Sequence, residues 1–204
     1  MRAFNLSVGA FVICILLVSV IPVSNSVSYI SQIAVAQSAL TSPANSHNTT
    51  SPTNSSFLTY QNKGPLGIMI NYPSNWKRML ADDKAVIFIP PSKKDKYSEN
   101  LVVVLFDINS SISAAQLPAQ AINNYGELYS DFFIIHLKPT TFLGDPAYVL
   151  MYTYTNPVAG KIIAMDIGIK HLDKVYVISY SAEQTEYDTY IFTVEKMIHS
   201  FHVT

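Results

Sequence analysis

Four of the five histidines, a few carboxylates and a run of tyrosines are the side chains here whose types and spacing could carry chemistry. His199 and His202 stand three apart near the C-terminus, which places both on one face if that segment is helical. Two imidazoles on one face make part of a metal site, and a third ligand must then come from elsewhere. The plainer account is two polar residues near a helix C-terminus, where positive charge is favoured. His136 alternates with apolar neighbours, and His171 falls in a turn composition. Among the carboxylates, Asp82 and Asp83 read as solvated loop residues. Asp166 is different, because it lies inside an alternating segment. Ile162, Ala164, Gly168 and Lys170 share its face, and Ile163, Met165, Ile167 and Ile169 take the other. If that face is solvated, Asp166 is ordinary. If another element covers it, the carboxylate needs a partner, and Lys170 or a tyrosine is the candidate. The chain holds 13 tyrosines. Tyr148, Tyr152 and Tyr154 share one strand parity, and Tyr176 and Tyr180 share another. We expect one aromatic face from these five, either a recognition surface or the wall beneath a helix.

Several chemistries are excluded. The single cysteine, Cys14, lies in the N-terminal apolar run, so the body of the protein has no intrachain disulfide, no cysteine zinc site and no thiol nucleophile. The glycines at 64, 67, 126, 144, 160 and 168 match neither a phosphate loop nor a dinucleotide fingerprint. No G-x-S-x-G elbow occurs, and no EF-hand-like run of carboxylates is present. Formal charge is −1, and Arg2 is the only Lys, Arg, Asp or Glu before Lys63, so the body is near-neutral and lacks the basic stripe of a nucleic-acid binder. Lys93-Lys94-Asp95-Lys96 reads as a solvated loop.

The organisation around these residues is tripartite. Residues 1–36 read as a signal peptide or a retained N-terminal anchor. Arg2 precedes an apolar run from Val8 to Val23, and Ala34-Val35-Ala36 offers a cleavage site. The run is short for a membrane span, which takes about 20 residues. Residues 37–56 are mostly Ser, Thr, Asn and Pro and hold no Lys, Arg, Asp or Glu, which reads as a disordered linker. Glycosylation sequons begin at Asn48, Asn54 and Asn109, against the simpler account of chance matches in Asn- and Ser-rich sequence.

The domain spans 57–204. Phe57–Tyr60 and Leu66–Tyr72 read as a hairpin turned at Asn62-Lys63-Gly64-Pro65, ended by Pro73, which cannot donate to a ladder. A short turn or helix carries Trp76, the only tryptophan. Ala85–Ile89 and Leu101–Ile108 read as strands, the second a central one covered on both faces. A helix is expected near Ala114–Ser130, opened by a Ser113/Gln116 capping box or, because of Pro118, nearer Leu117. Strands follow at Phe133–Leu137, Ala147–Thr155, Lys161–Lys170 and Val175–Tyr180. Short connections make these neighbours antiparallel. A last helix, about Glu186–Ser200, carries a Thr185/Asp188 capping box and the stripe Tyr187, Ile191, Val194, Ile198 and Phe201.

Three features together resemble the PsbP-like family. They are the Tyr72-Pro73-x-x-Trp76 corner, the Gly144-x-Pro146-Ala147-Tyr148 segment, and the last helix with Tyr187, Tyr190, Met197-Ile198 and Ser200-Phe201. The resemblance covers 57–204 and implies an α+β fold, an α/β/α sandwich whose central antiparallel sheet is covered by helices. It also implies a non-catalytic, extracytoplasmic accessory or binding module, such as an extrinsic subunit or assembly factor of a membrane complex with a protein partner at the outer face. The family context includes photosystem II and the retention of calcium and chloride, but no calcium ligand of this chain follows from it. The same fold occurs in a nuclear import factor that binds a small GTPase, a role that export argues against, so the fold does not fix function. The alternatives carried forward are a secreted small-ligand or metal carrier using His199 and His202 or the tyrosine face, and, more remotely, a hydrolase.

Overall fold

The computed structural model describes residues 56–91 and 97–204. The leader, the linker with Asn48 and Asn54, and the lysine loop at 93–96 lie outside the described residues. Ten strands and two helices follow in chain order: β1 (Phe57–Asn62), β2 (Ile68–Pro73), β3 (Lys77–Asp82), β4 (Ala85–Ile89), β5 (Asn100–Asp107), α1 (Leu117–Leu128), β6 (Ser130–Phe142), β7 (Asp145–Asn156), β8 (Gly160–His171), β9 (Lys174–Glu183), α2 (Tyr187–His199) and β10 (His202–Val203). A 3-10 turn over Ala114–Gln116 leads into α1.

The strands form two antiparallel sheets. One is β1-β2-β10 and the other is β3-β4-β5-β9-β8-β7-β6. The Pro73–Trp76 corner carries the chain from the first sheet to the second. Proline ends β2, the Trp76 N–H bonds the Pro73 carbonyl at 3.0 Å, and β3 starts at the next residue. Trp76 is 5% exposed and packs edge-on against Tyr190 of α2 at 5.7 Å.

Strand alternation builds two apolar layers on opposite faces of the seven-stranded sheet. On one face Val86, Phe88, Leu101, Val103, Ile167, Ile169, Tyr176, Ile178 and Tyr180 meet Ile68, Ile70 and Tyr72 of the small sheet and Val194, Met197 and Ile198 of α2. On the other face Tyr148, Leu150, Tyr152, Ala164 and Val175 meet Leu117, Ala121, Ile122 and Tyr125 of α1. The sheet is antiparallel as expected, but the fold is mostly β. A second sheet, absent from the sequence reading, provides much of the cover that helices were expected to provide.

Other departures have local causes. β3 is exposed along its whole length, so no alternation marks it, and Asp82 ends this strand instead of lying in a loop. β6 is longer than expected and absorbs two irregularities, between Ser130 and Phe133 and between Ile134 and His136. The Ser113/Gln116 capping box forms, with Pro118 in the first turn of α1. The Thr185/Asp188 box does not: Glu186 is the N-cap of α2, and its carboxylate accepts the Thr189 hydroxyl at 3.1 Å. Past α2 the chain turns back as β10 against Met69 and Ile68, and Thr204 N–H donates to the Gly67 carbonyl at 2.8 Å. Gly67 is at φ +55°, so glycine suits the turn that receives it.

Candidate functional site

The second apolar layer is built on a size match between neighbouring strands. In the β7–β8 ladder Tyr148 faces Gly168, Leu150 faces Asp166 and Tyr152 faces Ala164. Large residues on β7 thus oppose small ones on β8, and the tyrosine rings lie over the small positions. At Gly168 an added Cβ would sit 2.2 Å from Tyr148 Cε1. Helix α1 closes the layer. Tyr125 stacks on Tyr152 at 4.9 Å, and Tyr129 stacks on Tyr154 at 4.1 Å.

Asp166 lies under this aromatic layer with no solvent exposure. The Tyr125 hydroxyl donates to its Oδ2 at 2.6 Å, and the Tyr152 hydroxyl approaches the same atom at 3.5 Å. Oδ1 is buried without a hydrogen-bond partner in the protein. Burial therefore dominates and pushes the carboxyl up to about 6, opposed by Ser179, Tyr125 and Tyr152. Ser179 is the cross-strand neighbour of Asp166 on β9. The phenols of Tyr125, Tyr148 and Tyr152 are pushed upward, first by burial and next by the carboxylate. Of the two partners considered from sequence, a tyrosine is the one found. Lys170 turns to the Leu172 carbonyl.

A polar branch continues from this layer. Tyr97 bonds Ser181 at 2.8 Å and lies 3.4 Å from the Tyr154 hydroxyl. Burial pushes the Tyr97 phenol upward, and these hydrogen bonds oppose the rise.

The five tyrosines expected on one face divide between two. Gly168 pairs with Val177 on β9, so Tyr176 and Tyr180 fall one residue out of phase with Tyr148. They sit in the first layer, where Tyr176 meets Phe201 edge-on at 5.9 Å and Tyr180 donates to the Tyr187 carbonyl at 2.9 Å. Tyr148, Tyr152, Tyr176 and Tyr180 are all buried; only Tyr154 is half-exposed. They form walls under neighbouring elements, one of the two readings open from sequence.

The histidines are separated by the fold. His199 ends α2, with Nδ1 2.7 Å from the Glu195 carbonyl, whereas His202 lies on β10 opposite Met69. The two therefore do not share a helix face. His171 Nδ1 lies 2.7 Å from Asp145 Oδ2 near the surface. Among the described residues no three His, Cys, Asp or Glu side chains converge as metal ligands. Asn109 is exposed in the turn after β5, its side chain accepting the Ser111 N–H at 3.0 Å.

What sequence reasoning missed is Tyr125, the donor to Asp166. No local signal singles it out, because which strand residue it meets depends on how α1 docks.

This fold and this sequence define a class. The PsbP-like protein family matches residues 12–203, and the chain belongs to that family. Cyanobacterial PsbP (CyanoP) of Synechocystis sp. is similar in fold, with TM-score 0.56 at 19% identity over 80% of this chain and all of that one. The Ran-binding protein Mog1p of Saccharomyces cerevisiae has TM-score 0.53 at 11% identity, covering 73% of this chain and 96% of its own. LpqN of Mycobacterium tuberculosis, involved in cell envelope biogenesis, has TM-score 0.53 at 15% identity, covering 74% and 92% respectively. No curated protein sequence matches the chain.

Proposed function

We propose that this protein is a non-catalytic binding or accessory module, secreted or held on the outer face of the cytoplasmic membrane, with a protein partner there. The observation that carries this reading is the family match across residues 12–203. The leader-like N-terminus and the uncharged linker support the address. That a Ran-binding protein shares the fold supports binding as one of its uses. Large apolar side chains remain outside, Phe133 at 66% and Phe192 at 72% exposure, and such residues are available to a partner.

The test is affinity capture with the full-length chain on solubilised native membranes, followed by crosslinking and mass spectrometry. One dominant membrane complex is expected. Enrichment no greater than with a surface-scrambled control overturns the reading.

A further inference from the structure

Asp166 is a titratable group enclosed by an element otherwise held through apolar contacts. It stands on the central part of β8, and the rings that roof it come from α1 and β7. Tyr125 joins helix to sheet at this point through the hydroxyl bond to Oδ2 of 2.6 Å. The rest of the α1 contact is apolar and partly buried: Leu117 is the only buried residue of the helix. Ionised, the fully buried carboxylate would hold Oδ2 with the Tyr125 and Tyr152 phenols and leave Oδ1 without a bonded donor, and these phenols and Ser179 offset only part of the cost of burial. An anion so placed is stabilised by any motion that admits water. Neutral, the same carboxyl keeps the Tyr125 bond and loses most of that penalty.

We propose that Asp166 and Tyr125 form a proton-controlled latch, in which the neutral carboxyl holds α1 on the sheet and the ionised carboxylate lets the helix lift. The groups that face the carboxyl are Tyr125 of α1, Tyr148 and Tyr152 of β7, and Ser179 of β9, all uncharged near neutrality. On β8 itself Lys170 is engaged with Leu172. Glu127 of α1 is exposed, away from the enclosed carboxyl. No charged neighbour therefore competes with the burial of Asp166 for control of its proton. The latch stands independently of the binding-module reading, since it concerns only how α1 is held.

The sign follows from linkage. In the docked state the carboxyl titrates at about 6, and with α1 lifted it returns toward its ordinary value of 3.8. Lifting then becomes easier as pH rises through about 6, and the lifted fraction grows about tenfold between pH 5 and pH 8.

Hydrogen exchange of the full-length chain, corrected for the intrinsic pH dependence of exchange, reads this directly. Protection across Leu117–Leu128 should fall about tenfold from pH 5 to pH 8 while β5, β8 and β9 hold theirs. Asp166→Asn should remove the pH dependence of α1. Should that variant not fold, Tyr125→Phe decides the matter. It keeps the ring stack but deletes a bond that favours the anion, so the midpoint of the α1 transition should move to higher pH. Equal protection of α1 at both pH values overturns the latch. So does a loss shared by every element, a pH dependence that survives in Asp166→Asn, or an unmoved midpoint in Tyr125→Phe.

Discussion

Replacing Gly168 by alanine should destabilise the domain through one contact, and its size follows from the structure. An added Cβ would lie 2.2 Å from Tyr148 Cε1, 2.4 Å from Cζ and 2.7 Å from the hydroxyl. An ordinary contact between carbons needs about 3.5 Å, so the ring must retreat by about 1 Å. Tyr148 is 4% exposed and packed in the layer beneath α1, so retreat displaces its neighbours. Overpacking of this kind costs about 1–3 kcal/mol. The lower backbone entropy of alanine in the unfolded chain offsets about 0.5–1 kcal/mol of it. A net loss of about 1–2 kcal/mol corresponds to a Tm lower by roughly 3–8 °C for a chain of this size. Thermal and urea unfolding followed by Trp76 fluorescence measures it, since Trp76 is the only tryptophan and is buried. The companion experiment places Gly168→Ala in a Tyr148→Val background. There the added methyl should be neutral or slightly stabilising, giving a coupling of about 1–3 kcal/mol between the two positions. A Gly168→Ala protein as stable as wild type, or a loss that persists without the tyrosine ring, refutes the size-matched packing of β7 on β8.

Three further outcomes are expected. The folded-state carboxyl of Asp166 is raised, so its contribution to stability is complete below about 3.8 and lost as pH rises through about 6. The difference between wild-type and Asp166→Asn urea stabilities should therefore drift by about 2 kcal/mol between those limits and by about 3 kcal/mol over the whole titration, and a flat difference contradicts it. Phe201→Ala empties a fully buried site between Phe142 and Tyr176 and should lose about 3–5 kcal/mol in the same assay. Tyr180→Phe removes a buried bond to the Tyr187 carbonyl, which keeps its helical partner as the first residue of α2, and should lose about 0.5–1.5 kcal/mol; no loss shows that this second bond adds nothing to stability.

How much of this was legible in sequence depends on the range of the interaction that decides each feature. Local rules worked where local forces dominate. The β-branched run Ala85–Ile89, the strand stop at Pro73 and the Ser113/Gln116 cap are each set by residues a few positions apart. The alternation around Asp166 posed the right question of what covers a carboxyl on that face of β8. The answer required tertiary placement, because Tyr125 is 41 residues away and reaches Asp166 only through the docking of α1. Strand parity assigned Tyr148, Tyr152 and Tyr154 to one face correctly. It could not place Tyr176 and Tyr180 relative to them, because that depends on the β8–β9 register, which one strand's alternation does not carry. The three-residue spacing of His199 and His202 would join them only in a continuing helix, and α2 ends at His199. The pairing of His202 with Met69 across β10 and β2 is a long-range contact that overrides local spacing. β3 left no signal, because all six of its residues face solvent to some degree and none alternates.

Site-specific photocrosslinking in the full-length chain tests the central claim of a partner-binding module most directly. A photoreactive residue is placed at position 133, 192 or, as a control, the salt-bridged surface position 84, in the native membrane setting. The account predicts a discrete adduct with one membrane-associated protein from position 133 or 192 and none from position 84. Only diffuse labelling, equal at all three positions, would contradict it.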